Sequence, residues 1–235
     1  ILIDSGGVLR FQSEDWKARD TVYEVGRQVV VPYLKGKGIS SVDTMILTHA
    51  DADHVEGAEE IVKEIRIKEI HVSPNSWGEK ALGDLRAEVE KRSISIYENM
   101  AGVSWNIGQT IYAYLSPRDL QYDGNNDSLV LYVQHGGFRA LFTGDLEKDG
   151  EQDLIHHYGP YIRNITLLKA GHHGSKTSSA DEFVEHTMPV LTIFTAGKDN
   201  RYRHPAQEVI ERFEKRRLRY YTTGTDGTIE LRVNK

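Results

Sequence analysis

Short apolar runs alternate along the chain with segments whose apolar residues recur every three or four positions. The first pattern is typical of buried strands and the second of amphipathic helices. The apolar runs predict strands at Ile1–Asp4, Thr44–Thr48, Glu69–Ser73, Ser93–Tyr97, Thr110–Leu115, Leu129–Gln134, Arg139–Thr143, Ile165–Lys169, Leu191–Thr195, Arg219–Thr222 and Thr228–Val233. The helical spacing predicts helices at Ala58–Ile65, Glu79–Lys91, Glu147–His157, Asp181–His186 and Pro205–Arg216. Strand–helix units mixed with a hairpin turn at Gly136-Gly137 predict an α+β fold, with sheets inside and helices outside.

The composition is that of a soluble globular domain. Of 235 residues, 39% are hydrophobic and 27% are charged, which is ordinary for a folded protein. No apolar stretch reaches the roughly 18 residues of a membrane span. The chain has no cysteine, so disulfides and thiolate metal sites are excluded. The length fits one large domain and no Pro/Ser-rich linker interrupts it, so we predict a single domain over residues 1–235.

The chain begins within a strand pattern, Ile1–Asp4, and without a start methionine. We therefore expect a domain cut from a longer polypeptide. The net charge of −6 does not favour a nucleic-acid binder, although bound metal ions would add positive charge locally. We expect a solvated helix face for the basic residues near the end of the chain, Arg212, Lys215, Arg216, Arg217 and Arg219.

Four candidate metal ligands lie within six residues, directly after the apolar run Met45–Leu47. They are His49, Asp51, Asp53 and His54. Imidazole nitrogens and carboxylate oxygens together suit Zn²⁺, Mn²⁺ or Fe²⁺. Acids and histidines packed this tightly cost stability unless a cation lies among them. The segment therefore predicts a metal site rather than a solvated polar loop.

Further polar residues follow other predicted strands. They are Asp4, Asp145, the pair His172-His173, and His204. Each has a second interpretation by itself: Asp4 as a turn residue before glycine, Asp145 as a helix cap, and the histidine pair as part of a surface loop. Strand ends on one edge of a layered sheet converge, so their shared placement favours one common site.

In chain order, the motifs Asp-x-Gly, His-x-Asp-x-Asp-His, Thr-Gly-Asp and His-His-Gly-Ser resemble those of the metallo-β-lactamase superfamily. A narrower resemblance covers nearly the whole chain. It is to the metallo-β-lactamase-like domain of ComEC-type DNA-uptake proteins of natural competence. It rests on the segments Val25–Leu34, Thr48–Gly57, Asn125–Leu131, Gly171–Ser178 and Asn200–Pro205. This resemblance implies a four-layer αββα sandwich with a binuclear metal site at one edge.

The resemblance also implies roles for the candidate residues around two divalent cations. His49 and Asp51 would bind one ion, Asp53 and His54 the other, and Asp145 would bridge them. Of the histidine pair, His173 is favoured as the ligand and His172 as a contact or proton donor to a phosphoryl oxygen. Asp4 would accept the free N–H of a ligand histidine and so fix its tautomer.

Hydrolysis of a phosphodiester is the chemistry that such a centre supports. Asp53 is a candidate to take a proton from the attacking water, and His204 to contact a neighbouring phosphate. The candidates for binding the substrate phosphate are Ser175, Lys176, Thr177, Ser178 and Asn200. The alternative interpretation is that the hydroxyl-rich segment beginning at Ser175 is an ordinary polar loop without a role in binding.

Two departures from the general superfamily bear on the metal. Asp51 stands where the superfamily usually has its second histidine, and Asn125–Ser128 offers Asn and Asp where it usually has another. The ComEC-type branch shares both. Oxygen donors in place of imidazole favour Mn²⁺, with Zn²⁺ as the alternative. His135, at a strand end before Gly136, is interpreted as structural.

The leading interpretation is a metal-dependent hydrolase that degrades DNA, namely the strand not taken up during transformation. The implied partners are DNA and the rest of a membrane-embedded uptake channel, with this domain on the extracytoplasmic side, soluble as a fragment and monomeric. Two alternatives stay open: a phosphorylcholine-esterase-like or other small phosphodiesterase, and a non-catalytic DNA-binding domain. An aromatic cage would favour choline, and a basic groove would favour DNA.

Overall fold

Two sheets organise the chain, and each belongs to one of two compact units, Ile1–Asn99 and Met100–Lys235. The structure is a computed structural model that describes residues 1–7, 23–74, 76–121 and 124–233. In the described part of the chain, no helix has the length and apolar character needed to cross a membrane.

The N-terminal unit contains a parallel sheet with the strand order β1-β2-β3-β4. Its strands are β1 (Leu2–Ile3), β2 (Ser41–Leu47), β3 (Arg66–Val72) and β4 (Ser95–Glu98). The apolar run at the end of β2 is completely buried, as expected for a parallel strand covered on both faces. Because β1 and β2 are parallel, with Ile3 paired to Ile46, both strands end at the same edge of the sheet.

The helices of this unit are α1 (Val31–Gly36), α2 (Ala52–Val55), α3 (Ala58–Glu64) and α4 (Gly83–Arg92). The pattern predicted α3 because Ala58, Ile61 and Val62 recur at helical spacing, and all three are buried. The pattern did not predict α1 or the π-helical turn Gly26–Val30 before it. Their β-branched residues favour strands, but Pro32 lies in the first turn of α1, where its fixed φ suits a helix.

The C-terminal unit contains a mixed sheet with the order β11-β10-β9-β8-β7-β6-β5. Its strands are β5 (Ser104–Ile107), β6 (Thr110–Ser116), β7 (Val130–His135), β8 (Phe138–Phe142), β9 (Leu167–Lys169), β10 (Leu191–Phe194) and β11 (Arg219–Thr222). Strands β5 to β8 pair antiparallel and β8 to β11 pair parallel. The predicted hairpin turn between β7 and β8 is confirmed, and Gly136 adopts the positive φ of 55° that such a turn requires.

The helices of this unit are α5 (Lys148–Ile162), α6 (Asp181–Thr187), α7 (Gln207–Lys215) and α8 (Thr223–Asp226). Buried apolar residues of α5, α6 and α7 form one cluster with the central strands; among them are Leu154, Phe183, Val209 and Phe213. The apolar stripe of α7 was predicted from its spacing.

The sequence pattern gave the wrong prediction for two segments of this unit, one near its beginning and one near its end. Strand β5 was not predicted, because its four residues are too few for a clear alternation; Trp105 stacks on Tyr112 of β6 across the pair. The predicted strand Thr228–Val233 is wrong. The segment lies in neither sheet, and Leu231 and Val233 are 42% and 46% exposed. Alternation marks a strand only where one face is buried.

Candidate metal centre

In the N-terminal unit, the predicted ligands follow β2 and enter the short helix α2. His49 and His54 are 3% and 2% exposed, and their ring centroids are 4.2 Å apart. Asp51 precedes α2, with its Oδ2 at 3.7 Å from His49 Nε2 and its side chain 63% exposed. Asp53 is half-buried in the first turn of α2. The loop thus brings two buried imidazoles and two more accessible carboxylates to the carboxyl end of one strand.

Asp4 lies at the end of β1 and orients both imidazoles. Its carboxylate accepts hydrogen bonds from the backbone N–H of Thr48 at 2.7 Å, from Thr48 Oγ1 at 3.0 Å and from His54 Nδ1 at 2.8 Å. Because the Thr48 hydroxyl donates to Asp4, its oxygen accepts from His49 Nδ1 at 3.1 Å. In this arrangement both histidines carry their proton on Nδ1, and Nε2 is the atom of each ring that can bind a metal.

The environment of Asp4 keeps its carboxylate charged. Burial alone raises its pKa, but the charge of His54 and the hydrogen bonds from His54 and Thr48 outweigh burial and hold the pKa of Asp4 below its usual value. Its φ of 54° lies in the left-handed region, which is uncommon for a residue other than glycine. Such conformations cluster where function requires them.

In the C-terminal unit, Asp145 and His173 form the corresponding pair of candidate ligands. Asp145 is 2% exposed, and its backbone N–H donates to Ser128 Oγ at 3.0 Å. Helix α5 begins at Lys148, with Glu147 as its N-cap residue, so Asp145 does not cap that helix. Lys169, at the end of β9, donates to the carbonyl oxygen of Gly144 at 2.7 Å and lies 3.5 Å from Asp145 Oδ1.

The contact between His173 and Asp145 fits a shared cation. His173 Nδ1 lies 2.6 Å from the carbonyl oxygen of Thr195, which can only accept, so Nδ1 carries the proton of the neutral ring. His173 Nε2 lies 3.4 Å from Asp145 Oδ2, and in the neutral ring both atoms are acceptors. Two ligand atoms that each lie about 2.1 Å from one tetrahedral ion are about 3.4 Å apart. The donor set of this unit therefore fits a divalent metal.

His172 is held beside this pair by a second set of contacts. Its Nδ1 lies 3.3 Å from Glu147 Oε1, 3.3 Å from Asn125 Nδ2 and 3.4 Å from Thr177 Oγ1. Its Nε2 lies 3.8 Å from Asp145 Oδ2. The backbone of the histidine pair is left-handed at both residues, with φ of 45° at His172 and 54° at His173. Strained backbone of this kind costs about 1–3 kcal/mol per residue and is typical of functional sites.

The five predicted phosphate-binding residues have different environments. Lys176 and Thr177 are exposed, with Thr177 Oγ1 at 3.4 Å from His172 Nδ1, and Ser175 Oγ lies 3.1 Å from Thr177 Oγ1. Ser178 is fully buried, and its hydroxyl donates to the carbonyl oxygen of Leu146. The Asn200 amide bonds within its own loop. The burial of Ser178 and the internal bonds of Asn200 favour structural roles over direct contact with a ligand.

The sequence pattern did not identify Glu151 as a functional residue. Its carboxylate hydrogen-bonds the end of the loop that carries the two histidines. It is buried in α5 and accepts hydrogen bonds from the backbone N–H groups of Ser179 at 2.6 Å and Ala180 at 2.8 Å. Arg212 donates to the carbonyl oxygens of Ser178 and Ser179. The expected solvated face is therefore wrong for Arg212. It is also wrong for Arg216, which pairs with Asp181 and Glu185. The spacing of residues along a helix does not show whether one of its acidic or basic side chains hydrogen-bonds a neighbouring loop.

We expect Glu151 to make stability depend on pH. Burial raises its pKa to about 7 from an ordinary 4.5, although the bonds from Ala180 and Ser179 lower it. A raised carboxyl pKa gives a contribution to the free energy of unfolding that is complete below about pH 4.5 and is lost as the pH rises to about 7. Its size is on the order of 3 kcal/mol. Urea unfolding of Glu151→Gln across this range should lack that component. The exposed control Glu182→Gln should retain it, and identical pH dependence in all three proteins would contradict the prediction.

The region Asn125–Ser128 supplies contacts to the site rather than a histidine. Asn125 and Asn126 hydrogen-bond Glu147, and Ser128 supports Asp145. His135, predicted to be structural, lies at the end of β7 with its Nδ1 at 2.9 Å from Thr110 Oγ1.

The chain belongs to the metallo-β-lactamase superfamily, whose family model matches residues 1–196. The two sheets with helices agree with this family, and the predicted α+β metallo-β-lactamase fold is confirmed. Solved structures support it at the level of fold. A metal-dependent hydrolase of the β-lactamase superfamily is 11% identical, with a TM-score of 0.58 and coverage of 99% of this chain and 97% of that chain. The diiron β-hydroxylase CmlA of Streptomyces venezuelae is 14% identical, with a TM-score of 0.55 and coverage of 77% and 43%.

Curated relatives carry competence and recombination names. The chain is 36% identical to ComE operon protein 3 of Bacillus subtilis over 99% of its length, and 29% identical to competence protein ComA of Neisseria gonorrhoeae over 88%. It is 28% identical to recombination protein 2 of Haemophilus influenzae over 100%. The predicted resemblance to ComEC-type competence proteins is confirmed. The chain covers 30%, 27% and 27% of these relatives, so it spans less than a third of their length.

Proposed function

We propose that this chain is a metal-dependent phosphodiester hydrolase that acts on DNA. The observation that carries the proposal is the pair His173 Nε2 and Asp145 Oδ2, 3.4 Å apart, where His173 belongs to a loop rich in hydroxyls and imidazoles. The imidazole and carboxylate suit a divalent cation, and the groups beside them suit a phosphate oxygen. The competence relatives support DNA as the source of that phosphate.

The proposed ligand set is the one that the sequence predicts for a binuclear metal centre. It comprises His49, Asp51, Asp53, His54, Asp145 and His173. Membership of the metallo-β-lactamase superfamily supports this assignment, and so does the orientation of each histidine through Nδ1. Two bound divalent cations would supply an activated water and neutralise charge on the phosphoryl group.

The chain's own residues would position the substrate and move protons. Asp53 accepts a proton from the nucleophilic water, and His172 contacts a phosphoryl oxygen through Nε2, since Glu147 and its neighbours hold Nδ1. Thr177, Ser175 and Lys176 bind the adjacent phosphate oxygens. His204 lies in ring contact with His172, with centroids 5.8 Å apart, and contacts the next phosphate.

Manganese is the proposed metal, with zinc as the alternative. Asp51 takes a position that the superfamily usually gives to histidine, and no histidine ligand comes from Asn125–Ser128, so the ligand set is richer in oxygen donors, which favour Mn²⁺ over Zn²⁺. The proposed setting is a single catalytic domain of a longer membrane-embedded DNA-uptake protein. We place it on the extracytoplasmic side, monomeric as an isolated domain, where it degrades the strand that is not transported.

The test compares two substrates and two metals on the same protein. We expect Mn²⁺-loaded protein to degrade a DNA oligonucleotide faster than Zn²⁺-loaded protein at matched occupancy, and to hydrolyse a choline phosphodiester slowly. His173→Ala should lose DNA hydrolysis, while the exposed α5 variant His156→Ala should keep it. Rapid cleavage of the choline ester without DNA degradation would move the assignment to a small-molecule phosphodiesterase. DNA binding without hydrolysis of either substrate would favour the remaining alternative, a non-catalytic DNA-binding domain.

A further inference from the structure

An exposed tyrosine lies next to the proposed phosphate-binding residues. Tyr202 is 53% exposed, and its ring stacks on His204 at a centroid distance of 5.7 Å and an interplanar angle of 18°. Such a near-parallel pair presents a flat aromatic surface at the protein boundary. Surfaces of this kind bind other flat rings by stacking.

The loop that carries Tyr202 is held in place by its own hydrogen bonds. The Asn200 amide donates to the carbonyl oxygens of Gly197 at 2.9 Å and His204 at 2.6 Å, and its oxygen accepts the His204 N–H at 2.8 Å. These bonds tie the two ends of the segment on either side of Tyr202. A loop that is ordered before binding loses less entropy when a ligand stacks on its exposed ring.

The rings of Tyr202, His204 and His172 contact one another in that order, and His172 lies beside the candidate metal ligand Asp145. His204 contacts Tyr202 on one side and His172 on the other, with centroids 5.8 Å apart and an angle of 68°. His172 Nε2 lies 3.8 Å from Asp145 Oδ2. Tyr202 is therefore two ring contacts away from the residue proposed to contact the scissile phosphate.

The charge around Tyr202 distinguishes between possible flat or cationic ligands. Arg201 and Arg203 are exposed on either side of it in the chain. Two guanidinium groups repel a quaternary ammonium, and a choline site needs an aromatic cage around the cation. The same two groups attract a polyanion. An exposed aromatic ring with positive charges in the same loop is a combination by which proteins bind single-stranded nucleic acid.

We propose that Tyr202, with His204 packed behind its ring, forms a stacking subsite for a nucleobase adjacent to the phosphate at His172. This deepens the proposed function and rests on it, since it names the part of the substrate that lies outside the reacting phosphodiester. Because every base has a π-face, the subsite favours base-bearing strands without reading their sequence.

The test measures binding without divalent metal, so that it does not depend on turnover. Fluorescence anisotropy at low salt would follow a labelled oligothymidylate and an abasic oligonucleotide of the same length. We expect Tyr202→Leu to weaken oligothymidylate binding by about 5- to 10-fold, and to weaken it more than abasic binding. Tyr202→Phe, which keeps the ring, should bind within about 2-fold of wild type. The matched control is Tyr161→Leu, at an exposed tyrosine of α5, and it should match wild type.

The outcomes separate this subsite from the proposed activity. If wild type degrades DNA but Tyr202→Leu binds oligothymidylate like Tyr161→Leu, the subsite is refuted and the nuclease activity stands. If wild type degrades no DNA with any metal, yet Tyr202→Leu selectively weakens binding of the base-bearing strand, the subsite stands and the nuclease activity is refuted. An equal loss on both oligonucleotides would overturn base stacking.

Discussion

Replacing Asp145 with alanine is expected to abolish hydrolysis, with a loss of at least about 10²-fold, because even residues behind the ligands change activity by 10- to 100-fold. Asp145 is buried, and its Oδ2 faces both His173 and His172. Without the carboxylate that is proposed to bridge the two ions, at most one ion should stay bound. The measurement is turnover of a DNA oligonucleotide under saturating metal, together with the metal content of the protein.

The control for this variant is Asp149→Ala. Asp149 lies on the same segment of chain, in the first turn of α5, and is exposed. It should keep both turnover and metal content. Thermal unfolding of Asp145→Ala would show that the fold persists, and near-normal turnover in a folded Asp145→Ala protein would contradict the bridging role.

Replacing Asp4 with asparagine is expected to weaken metal binding by about 10- to 100-fold, although Asp4 is not itself a proposed ligand. The Oδ2 of Asp4 accepts from both His54 Nδ1 and Thr48 Oγ1. An amide NH₂ in that position would donate instead and could no longer accept those two hydrogens. His54 would then favour its proton on Nε2, the atom needed for the metal, and His49 would lose its relay through Thr48.

Isothermal titration with Mn²⁺ measures this effect directly, and activity at limiting metal measures it independently. Asp43→Asn is the matched control, since Asp43 is an exposed β2 residue paired with Lys68 outside the candidate site. Rescue of Asp4→Asn turnover by excess metal would support a positioning role. Unchanged affinity in Asp4→Asn would show that Asp4 does not set the tautomers.

Regular elements were largely predictable because their signals are local. Ten of the predicted strands overlap observed ones, since a buried strand needs a short apolar run wherever it pairs. The positions of the candidate ligands at strand ends were predictable for the same reason. His49 follows β2, Asp145 follows β8 and His172 follows β9. A residue's distance along the chain from a strand end is a property of the sequence alone.

The partners of those residues depended on the tertiary structure. Thr48 relays between Asp4 and His49 only because β1 pairs with β2 in one register. The functions of Glu151 and Arg212 depend on how α5 and α7 pack against the loop Ser178–Ala180. Likewise, the ring contact of Tyr202 with His204 depends on the bonds of Asn200 within its loop.

By itself, the sequence determined the family, the strand–helix alternation and the candidate metal ligands, because each follows from residue type and spacing along the chain. Only the tertiary structure decided which nitrogen of each histidine carries a proton, which polar residues are buried as supports and which aromatic ring meets solvent. Those properties depend on contacts between residues far apart in the chain, and spacing within one segment does not encode such contacts.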